Sequence, residues 1–180
     1  MRLTLADASA TRKLGKSLAE ILAPGDLVIL VGDLGAGKTT LAQGIGAGLG
    51  VAGTVASPTF IIARAHRPAP GRPALIHADA YRLRSLAELD DLDLDESVAE
   101  AVTVVEWGAG IAEVLAESYL VITLERERGG AMEDPEAGVR VVTIEGHGPR
   151  WEGVALGSWE GVALGLGEGV ALGRFAPPLA

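Results

Sequence analysis

Val28-Ile-Leu-Val-Gly-Asp-Leu-Gly-Ala-Gly-Lys-Thr-Thr-Leu41 joins an apolar run, a glycine-rich turn and the start of a helical pattern. Residues 32–39 fit the pattern G-x-x-x-x-G-K-[ST] in full. Leu27 to Val31 predicts a buried strand, and residues 39–49 repeat apolar side chains at helical spacing. A glycine-rich connection without a ligand would explain the turn alone. The complete motif between a strand and a helix favours a nucleotide site.

The residues of this loop have separate expected roles. Gly32 and Gly37 bracket the loop, and Gly35 lets the backbone N–H groups approach phosphate oxygens. Lys38 is expected to reach the β- and γ-phosphates, and Thr39 to give its hydroxyl to Mg²⁺. The predicted nucleotide-binding residues of the loop are Gly32, Asp33, Gly35, Ala36, Gly37, Lys38, Thr39 and Thr40.

The composition indicates a single cytoplasmic domain. The chain has 180 residues, and 48% of them are hydrophobic, which suffices for a core of ordinary size. It contains no cysteine, which excludes disulfides, thiolate metal sites and a cysteine nucleophile. The acid Asp7 interrupts the N-terminal segment, and no apolar run approaches the roughly eighteen residues of a membrane span. We therefore expect a cytoplasmic protein without membrane segments.

The charge of the chain bears on its partners. The net charge of -9 opposes direct binding to nucleic acid, because such binding depends on Lys and Arg neutralising phosphates. Contact with RNA is therefore expected to occur through a partner protein. Residues 88–100 contain seven acids and no base. This acidic segment is either a solvated surface or a docking patch for a basic partner, and the sequence leaves both open.

Phosphoryl transfer needs an acid at the end of a neighbouring strand to hold Mg²⁺, directly or through water. Three apolar runs end in an acid, at Asp79, Glu106 and Glu125. Glu125 is the weakest candidate because further charges follow it. Periodicity does not rank the other two, and each could instead be a helix cap or an ion pair. Ser57-Pro-Thr59 offers hydroxyls where triphosphatases sense the γ-phosphate, although an ordinary turn explains it equally well.

The nucleotide base is predicted from a guanine-binding motif that the sequence lacks. Guanine-specific triphosphatases of the Ras type carry an Asn-Lys-x-Asp motif, and this chain contains no asparagine at all. The threonine variant of that motif is missing too. ATP is therefore favoured over GTP.

The order of apolar patterns predicts the fold class. Strands are predicted at residues 3–5, 27–31, 60–65, 75–79, 102–106, 119–125 and 139–145, with a turn at 64–73. Helical segments are predicted at residues 9–22, 39–49, 85–92, 95–101 and 109–117. This order predicts an α/β, P-loop NTPase-like three-layer fold, in which helices flank a central mixed sheet.

The last thirty residues have a different character. An eight-residue glycine-rich repeat occurs three times, at residues 151–158, 159–166 and 167–174. Three short copies are too few to build a self-supporting solenoid. We therefore predict a P-loop ATPase domain over residues 1–150 and a poorly ordered tail without chemistry over residues 151–180.

Four motifs in register resemble one family. They are Gly32-Asp-Leu-Gly-Ala-Gly-Lys-Thr-Thr40, Ser57-Pro-Thr59, His77-Ala-Asp-Ala-Tyr-Arg-Leu83 and Val105-Glu-Trp107. Across roughly residues 3–146, the chain resembles the bacterial TsaE (YjeE) family, small ATPases needed to make threonylcarbamoyladenosine on ANN-decoding tRNAs. The resemblance implies use of ATP and Mg²⁺, and assistance to a TsaB–TsaD pair in which TsaD transfers the threonylcarbamoyl group. It implies that tRNA is reached only through that complex.

The resemblance also implies roles for single residues at the nucleotide. Lys38 would bind phosphates, and Thr39 and Glu106 would hold Mg²⁺. Asp79 would be a further active-site acid that orients water or metal-bound water.

More peripheral roles follow from the same resemblance. The Ser57-Pro-Thr59 loop resembles the switch of the family, Trp107 would pack beside the nucleotide, and Thr11 on the first helix would lie near the adenine. The predicted catalytic residues are Lys38, Thr59, Asp79 and Glu106.

Two other functions remain open from the residues alone. A small-molecule or sugar kinase would share the phosphate loop, and Arg64, Arg67 and Arg72 could form its lid, although this connection is short and rich in proline. A nucleotide-binding module without turnover is the non-enzymatic alternative.

Overall fold

The computed structural model describes residues 1–53, 55–56, 63–82, 99–126 and 136–154. They form a seven-stranded mixed sheet, in the order β1-β7-β6-β2-β5-β4-β3, that packs against helices. The helices are α1 (Ala8–Leu18) and α2 (Lys38–Leu49). The strands are β1 (Arg2–Leu5), β2 (Leu27–Val31), β3 (Ala63–His66), β4 (Ala74–Asp79), β5 (Ala101–Glu106), β6 (Tyr119–Arg126) and β7 (Arg140–His147).

The strand directions bring the predicted chemistry to one edge of the sheet. Strands β6, β2, β5 and β4 run parallel, whereas β7 pairs antiparallel with β6, and β3 pairs antiparallel with β4. The carboxyl ends of parallel strands meet at the same edge, which is where ligands bind in open α/β sheets. Val31, Asp79 and Glu106 end β2, β4 and β5 at this edge, and Asp79 pairs with Glu106 in register.

The core explains why the central strands read as continuous apolar runs. Every residue of β5 is buried, as are the first four of β2, because both faces of the sheet are covered here. On one face, Leu14 of α1 and Leu41 of α2 belong to the main cluster. On the other, Ile29 and Val105 pack with Ala112 from the short 3₁₀ turn Ala112–Leu115. The phosphate loop is thus mounted on a rigid central strand.

Helices α1 and α2 cross in close backbone contact. A Cβ atom on Gly15 would lie 2.5 Å from the carbonyl oxygen of Leu41, and one on Gly44 would overlap the carbonyl oxygen of Arg12. A Cβ on Gly48, one turn further along α2, would lie 2.8 Å from the Lys16 carbonyl oxygen. Real Cβ atoms do not approach backbone this closely, so glycine is required at the crossing. This contact fixes α1 against the helix that begins at the phosphate loop.

Replacement of Gly44 by Ala is expected to lower the free energy of unfolding by about 1–3 kcal/mol, because the added methyl group overpacks the crossing. Helix propensity alone predicts the opposite sign, a gain of about 1 kcal/mol. Urea denaturation measures the difference, with Gln43→Ala, half-exposed on the same helix, as the control. A stabilised Gly44→Ala variant would show that the helices do not need this close approach.

The residues after β7 are anchored to the rest of the fold. The Arg150 guanidinium donates to the Ile21 carbonyl at 2.9 Å and bonds the buried carboxylate of Asp26 at 3.2 Å. Trp151 is 4% exposed and belongs to the main core cluster. The folded part therefore extends past the boundary predicted at residue 150. Residues 155–180, which hold most of the repeat tail, lie outside the described residues.

The α/β class and the mixed sheet are confirmed, but several element boundaries differ and one predicted helix does not form. The helix predicted over 9–22 ends at Leu18, after which bonds three residues apart tighten the chain into a turn. The helix predicted over 109–117 is wrong, since only the 3₁₀ turn over residues 112–115 forms beside Gly110, whose φ is 81°. Strand β3 extends to His66, into the predicted turn.

The helical segment predicted at residues 85–92 and most of the one at 95–101 lie outside the described residues. Within the described ranges, no helix is both long and apolar enough to cross a membrane.

Candidate functional site

The loop between β2 and α2 has a backbone that only glycine fits comfortably. Gly32, Gly35 and Gly37 have φ angles of 143°, 80° and 109°, in the region that disfavours side chains. A Cβ on Gly32 would also overlap the carbonyl oxygen of Leu124 on β6. Gly37 precedes the first turn of α2 without a side-chain cap, which leaves that turn's N–H groups to an anion. The loop is built as a phosphate cradle.

Lys38 lies over this loop. Its side chain is buried, and its Nζ atom donates to the carbonyl oxygens of Gly32 at 2.7 Å and Asp33 at 2.9 Å. The ammonium also lies 3.8 Å from the centroid of the Trp107 ring, a cation–π contact. Burial lowers the pKa of Lys38, while the nearby acids, Glu106 first, raise it. The cation is therefore held where a triphosphate would meet it.

Thr39 and Glu106 meet across the site. The Thr39 hydroxyl donates to Oε1 of Glu106 at 2.8 Å and lies 3.1 Å from Oε2. The α2 helix carries Thr39 and the end of β5 carries Glu106, so the contact joins the phosphate loop to the neighbouring strand. Glu106 is only 3% exposed. Glu106 is therefore in direct contact with the phosphate loop.

His77 completes this group and was not singled out from the sequence. Its Nε2 atom lies 2.9 Å from Oε1 of Glu106, and the imidazole is fully buried. The sequence signal was a histidine inside the otherwise apolar run of β4. Because β4 is buried on both faces, no alternation of polar and apolar residues showed which way this side chain points.

Asp79 ends strand β4 and Tyr81 follows two residues later, next to the end of β5 that carries Glu106. Asp79 is paired with Glu106 in the sheet register, and its Oδ1 accepts from the Tyr81 backbone N–H at 3.0 Å. The charge of Asp79, after that of Glu106, raises the pKa of Lys38. Asp79 therefore caps this turn, and its role as an active-site acid stays a prediction. Glu125, by contrast, is exposed on β6.

Trp107 follows Glu106 in a rare conformation. Its φ of 60° is the one positive value at a non-glycine residue in the described part of the chain. The Trp107 N–H donates to the Leu30 carbonyl at 3.0 Å, and its ring contacts that of Tyr81, with centroids 5.2 Å apart. Such backbone strain persists only when its surroundings hold it, and it clusters at functional sites. The indole therefore forms a fixed wall of the site.

The other predicted residues are placed as follows. Ala36 is buried under the loop and Thr40 is half-buried at the start of α2, whereas Asp33 is exposed at the loop tip. Thr11 is fully buried, its hydroxyl donates to the Asp7 carbonyl, and its methyl group lies behind Gly37. The adenine contact of Thr11 stays a prediction. Ser57 and Thr59 lie outside the described residues.

Arg140 is a second buried group that the sequence did not identify. It is 1% exposed and donates to the carbonyl oxygens of Glu136 and Ala137 at 3.1 Å, and to that of Gly138. Its Nε lies behind the phosphate loop, 3.8 Å from where a Cβ on Gly37 would be. Burial lowers the pKa of Arg140. The sequence signal for Arg140 was strand alternation. It lies two and four residues before the inward-facing residues 142 and 144 of β7.

The donor atoms fit Mg²⁺. Thr39 and Glu106 offer hard oxygen ligands, and such ligands suit this cation. Across the described ranges, no group of three or more His, Cys, Asp or Glu side chains is arranged to hold a metal ion by itself. Mg²⁺ usually takes one or two protein ligands together with phosphate oxygens and water. The site can therefore hold Mg²⁺ together with a nucleotide.

Comparisons with known proteins agree with these motifs. Residues 5–133 match the family model described as "Threonylcarbamoyl adenosine biosynthesis protein TsaE". The chain is 52% identical to the Streptomyces coelicolor tRNA threonylcarbamoyladenosine biosynthesis protein TsaE, over 78% of this chain and 93% of that relative. It is 51% identical to the Mycobacterium tuberculosis protein of that name, over 68% and 77%.

A solved structure extends this similarity to the fold. The crystal structure of Bacillus subtilis YdiB superposes with a TM-score of 0.66 at 32% identity, covering 84% of this chain and 88% of that one.

Proposed function

This chain belongs to the TsaE family of tRNA threonylcarbamoyladenosine biosynthesis proteins, and from that premise we propose that it is a Mg²⁺-dependent ATPase supporting a TsaB–TsaD-type complex. The observation that carries the proposal is the contact of Thr39 with Glu106 at the mouth of a complete phosphate loop. This contact joins the two groups that a metal–triphosphate complex requires. The proposed setting is the cytoplasm.

In this proposal, different residues of the site bind the phosphates, hold the metal and orient the attacking water. The N–H groups of the loop and the Lys38 ammonium bind the phosphates and stabilise the charge that develops during transfer. The Thr39 hydroxyl donates a hydrogen bond to Glu106. The lone pairs of the Thr39 oxygen therefore remain available for the metal. Thr39 and Glu106 would hold Mg²⁺, which would neutralise part of the phosphate charge when bound. Asp79 lies at the same edge and orients the attacking water.

Family membership and charge support the proposed partners. A chain with a net charge of -9 is poorly suited to hold tRNA itself, so the proposed contact with tRNA runs through the TsaB–TsaD-type complex. In this arrangement, ATP turnover supports the repeated action of the partner enzyme. The transfer of the threonylcarbamoyl group takes place on the partner.

The proposal is tested by incubating the purified chain with γ-labelled ATP and Mg²⁺, with and without a purified TsaB–TsaD pair. Slow release of free phosphate, accelerated by the pair, is the expected result. A labelled metabolite formed from an added metabolite mixture would identify a kinase instead. ATP binding without phosphate release, even with the pair present, would identify a nucleotide-binding module.

A further inference from the structure

We infer that His77 is a positioning residue for the metal site, holding Glu106 in the orientation that keeps the Thr39 hydroxyl ready for Mg²⁺. This inference rests on the proposed Mg²⁺–nucleotide site. Its basis is a chain of contacts from the interior of β4 to the phosphate loop, formed by His77, Glu106 and Thr39.

Both donors to Glu106 reach Oε1, and the Thr39 hydroxyl also lies 3.1 Å from Oε2. Oε1 accepts from the Thr39 hydroxyl at 2.8 Å and faces Nε2 of His77 at 2.9 Å. Among the described residues, Oε2 has only this longer contact with Thr39, so it keeps a lone pair for a metal ion or a metal-bound water. Two donors on one oxygen also fix the rotation of the carboxylate, which a single hydroxyl could not do.

The surroundings of His77 define which nitrogen carries the proton. Among the described residues, Nδ1 of His77 is buried and has no hydrogen-bond partner. A proton on Nδ1 would be buried without an acceptor, whereas a proton on Nε2 is donated to Glu106. A proton on Nε2 therefore fits the site, and His77 acts as a donor to the carboxylate.

The Thr39 hydroxyl depends on this arrangement. It can give lone pairs to Mg²⁺ only while its proton points at an acceptor, and that acceptor is Glu106. Loss of the His77 donor frees the carboxylate to rotate, and the hydroxyl then loses its fixed direction. Residues that orient metal ligands in this way typically change metal affinity by about 10–100-fold when they are replaced.

A purely structural role for His77 is the competing explanation, and the chain supplies a matched control. His66 is also a buried histidine, 6% exposed, and it lies on β3, the strand next to His77. His66 makes no hydrogen bond to Glu106 among the contacts of the described residues. Replacing either histidine removes a buried imidazole, but only the replacement of His77 removes the donor to Glu106.

The test measures Mn²⁺ binding to the protein with a non-hydrolysable ATP analogue, by electron paramagnetic resonance of free Mn²⁺. His77→Leu is expected to weaken metal binding about tenfold or more, and His66→Leu by less than about twofold. His77→Gln places an amide N–H near the position of Nε2 and should restore most of the affinity. His77→Asn is polar but too short to reach Glu106, so it should resemble His77→Leu. Circular dichroism checks the fold of each variant.

Several results would overturn the inference. Metal affinity within about twofold of wild type in folded His77→Leu would do so, as would equal losses in the Gln and Asn variants. Wild-type protein that binds Mn²⁺ with the analogue but releases no phosphate from ATP would contradict the ATPase proposal and leave the role of His77 standing. Wild-type protein that shows no Mn²⁺ binding with the analogue would contradict both the ATPase proposal and the role of His77.

Discussion

ATP hydrolysis by Lys38→Ala is expected to fall by about 10²–10³-fold, the typical effect of removing one preorganised charge-stabilising donor. In the structure, the Lys38 ammonium donates hydrogen bonds to the Gly32 and Asp33 carbonyl oxygens, which hold it over the loop. The ammonium can therefore exchange these carbonyl oxygens for phosphate oxygens with little movement of the side chain. Phosphate release in the presence of the partner pair measures the loss, and nucleotide binding is measured separately by calorimetry.

The chain provides good controls for this experiment. It has three lysines, and Lys13 and Lys16 are exposed on α1, so Lys16→Ala makes the same charge change away from the site. Lys38→Met keeps an apolar stem to pack beside Trp107 and should be as inactive as Lys38→Ala. Unchanged turnover in both Lys38 variants would contradict the assignment of the nucleotide to this loop. Equal losses in Lys16→Ala would point to a nonspecific charge effect.

The phosphate loop could be predicted from sequence because its chemistry is local. Three glycines, a lysine and a threonine at fixed spacing, between an apolar strand and a helix, predict the backbone path and indicate a phosphate ligand. The structure adds what spacing does not contain, the resting position of the Lys38 ammonium against the Trp107 ring. That contact joins residues far apart in sequence.

The acids could be predicted as a set but not ranked. Parallel strands bring their carboxyl ends to one edge, so Asp79 and Glu106 were expected together. The choice between them depends on side-chain direction, and β5 is buried throughout, so no alternation indicated that direction. The same burial concealed His77. In β6 and β7, where buried and exposed residues alternate, the pattern was informative, and both strands were predicted.

The crossing of α1 and α2 shows another limit of sequence reading. Glycines in a helix lower its propensity, so Gly44 and Gly48 read as weak positions in α2. In the folded chain they lie where α1 comes closest, and a larger side chain would not fit. The requirement belongs to the packing of two helices, and neither helix alone reveals it.

Replacing Glu106 by Gln is expected to reduce Mg²⁺-dependent turnover by about 10²-fold or more while ATP binding in EDTA changes little. Gln keeps the shape and an acceptor oxygen for Thr39 and His77, so the fold survives, but it removes the charge that attracts the metal. Glu106→Ala removes the acceptor too. It leaves the buried His77 donor unsatisfied and should cost about 1–3 kcal/mol of stability.

The comparison of Glu106→Gln with Glu106→Ala thus separates metal binding from folding, which a single variant could not do. Measuring turnover against Mg²⁺ concentration should show a higher requirement in Glu106→Gln, because the missing charge is partly replaced by mass action of the metal. Glu125→Gln is the control, since Glu125 is exposed on β6. A loss of Mg²⁺ dependence in Glu125→Gln, with Glu106→Gln unaffected, would mean that the contact of Thr39 with Glu106 serves only to hold β5 against α2.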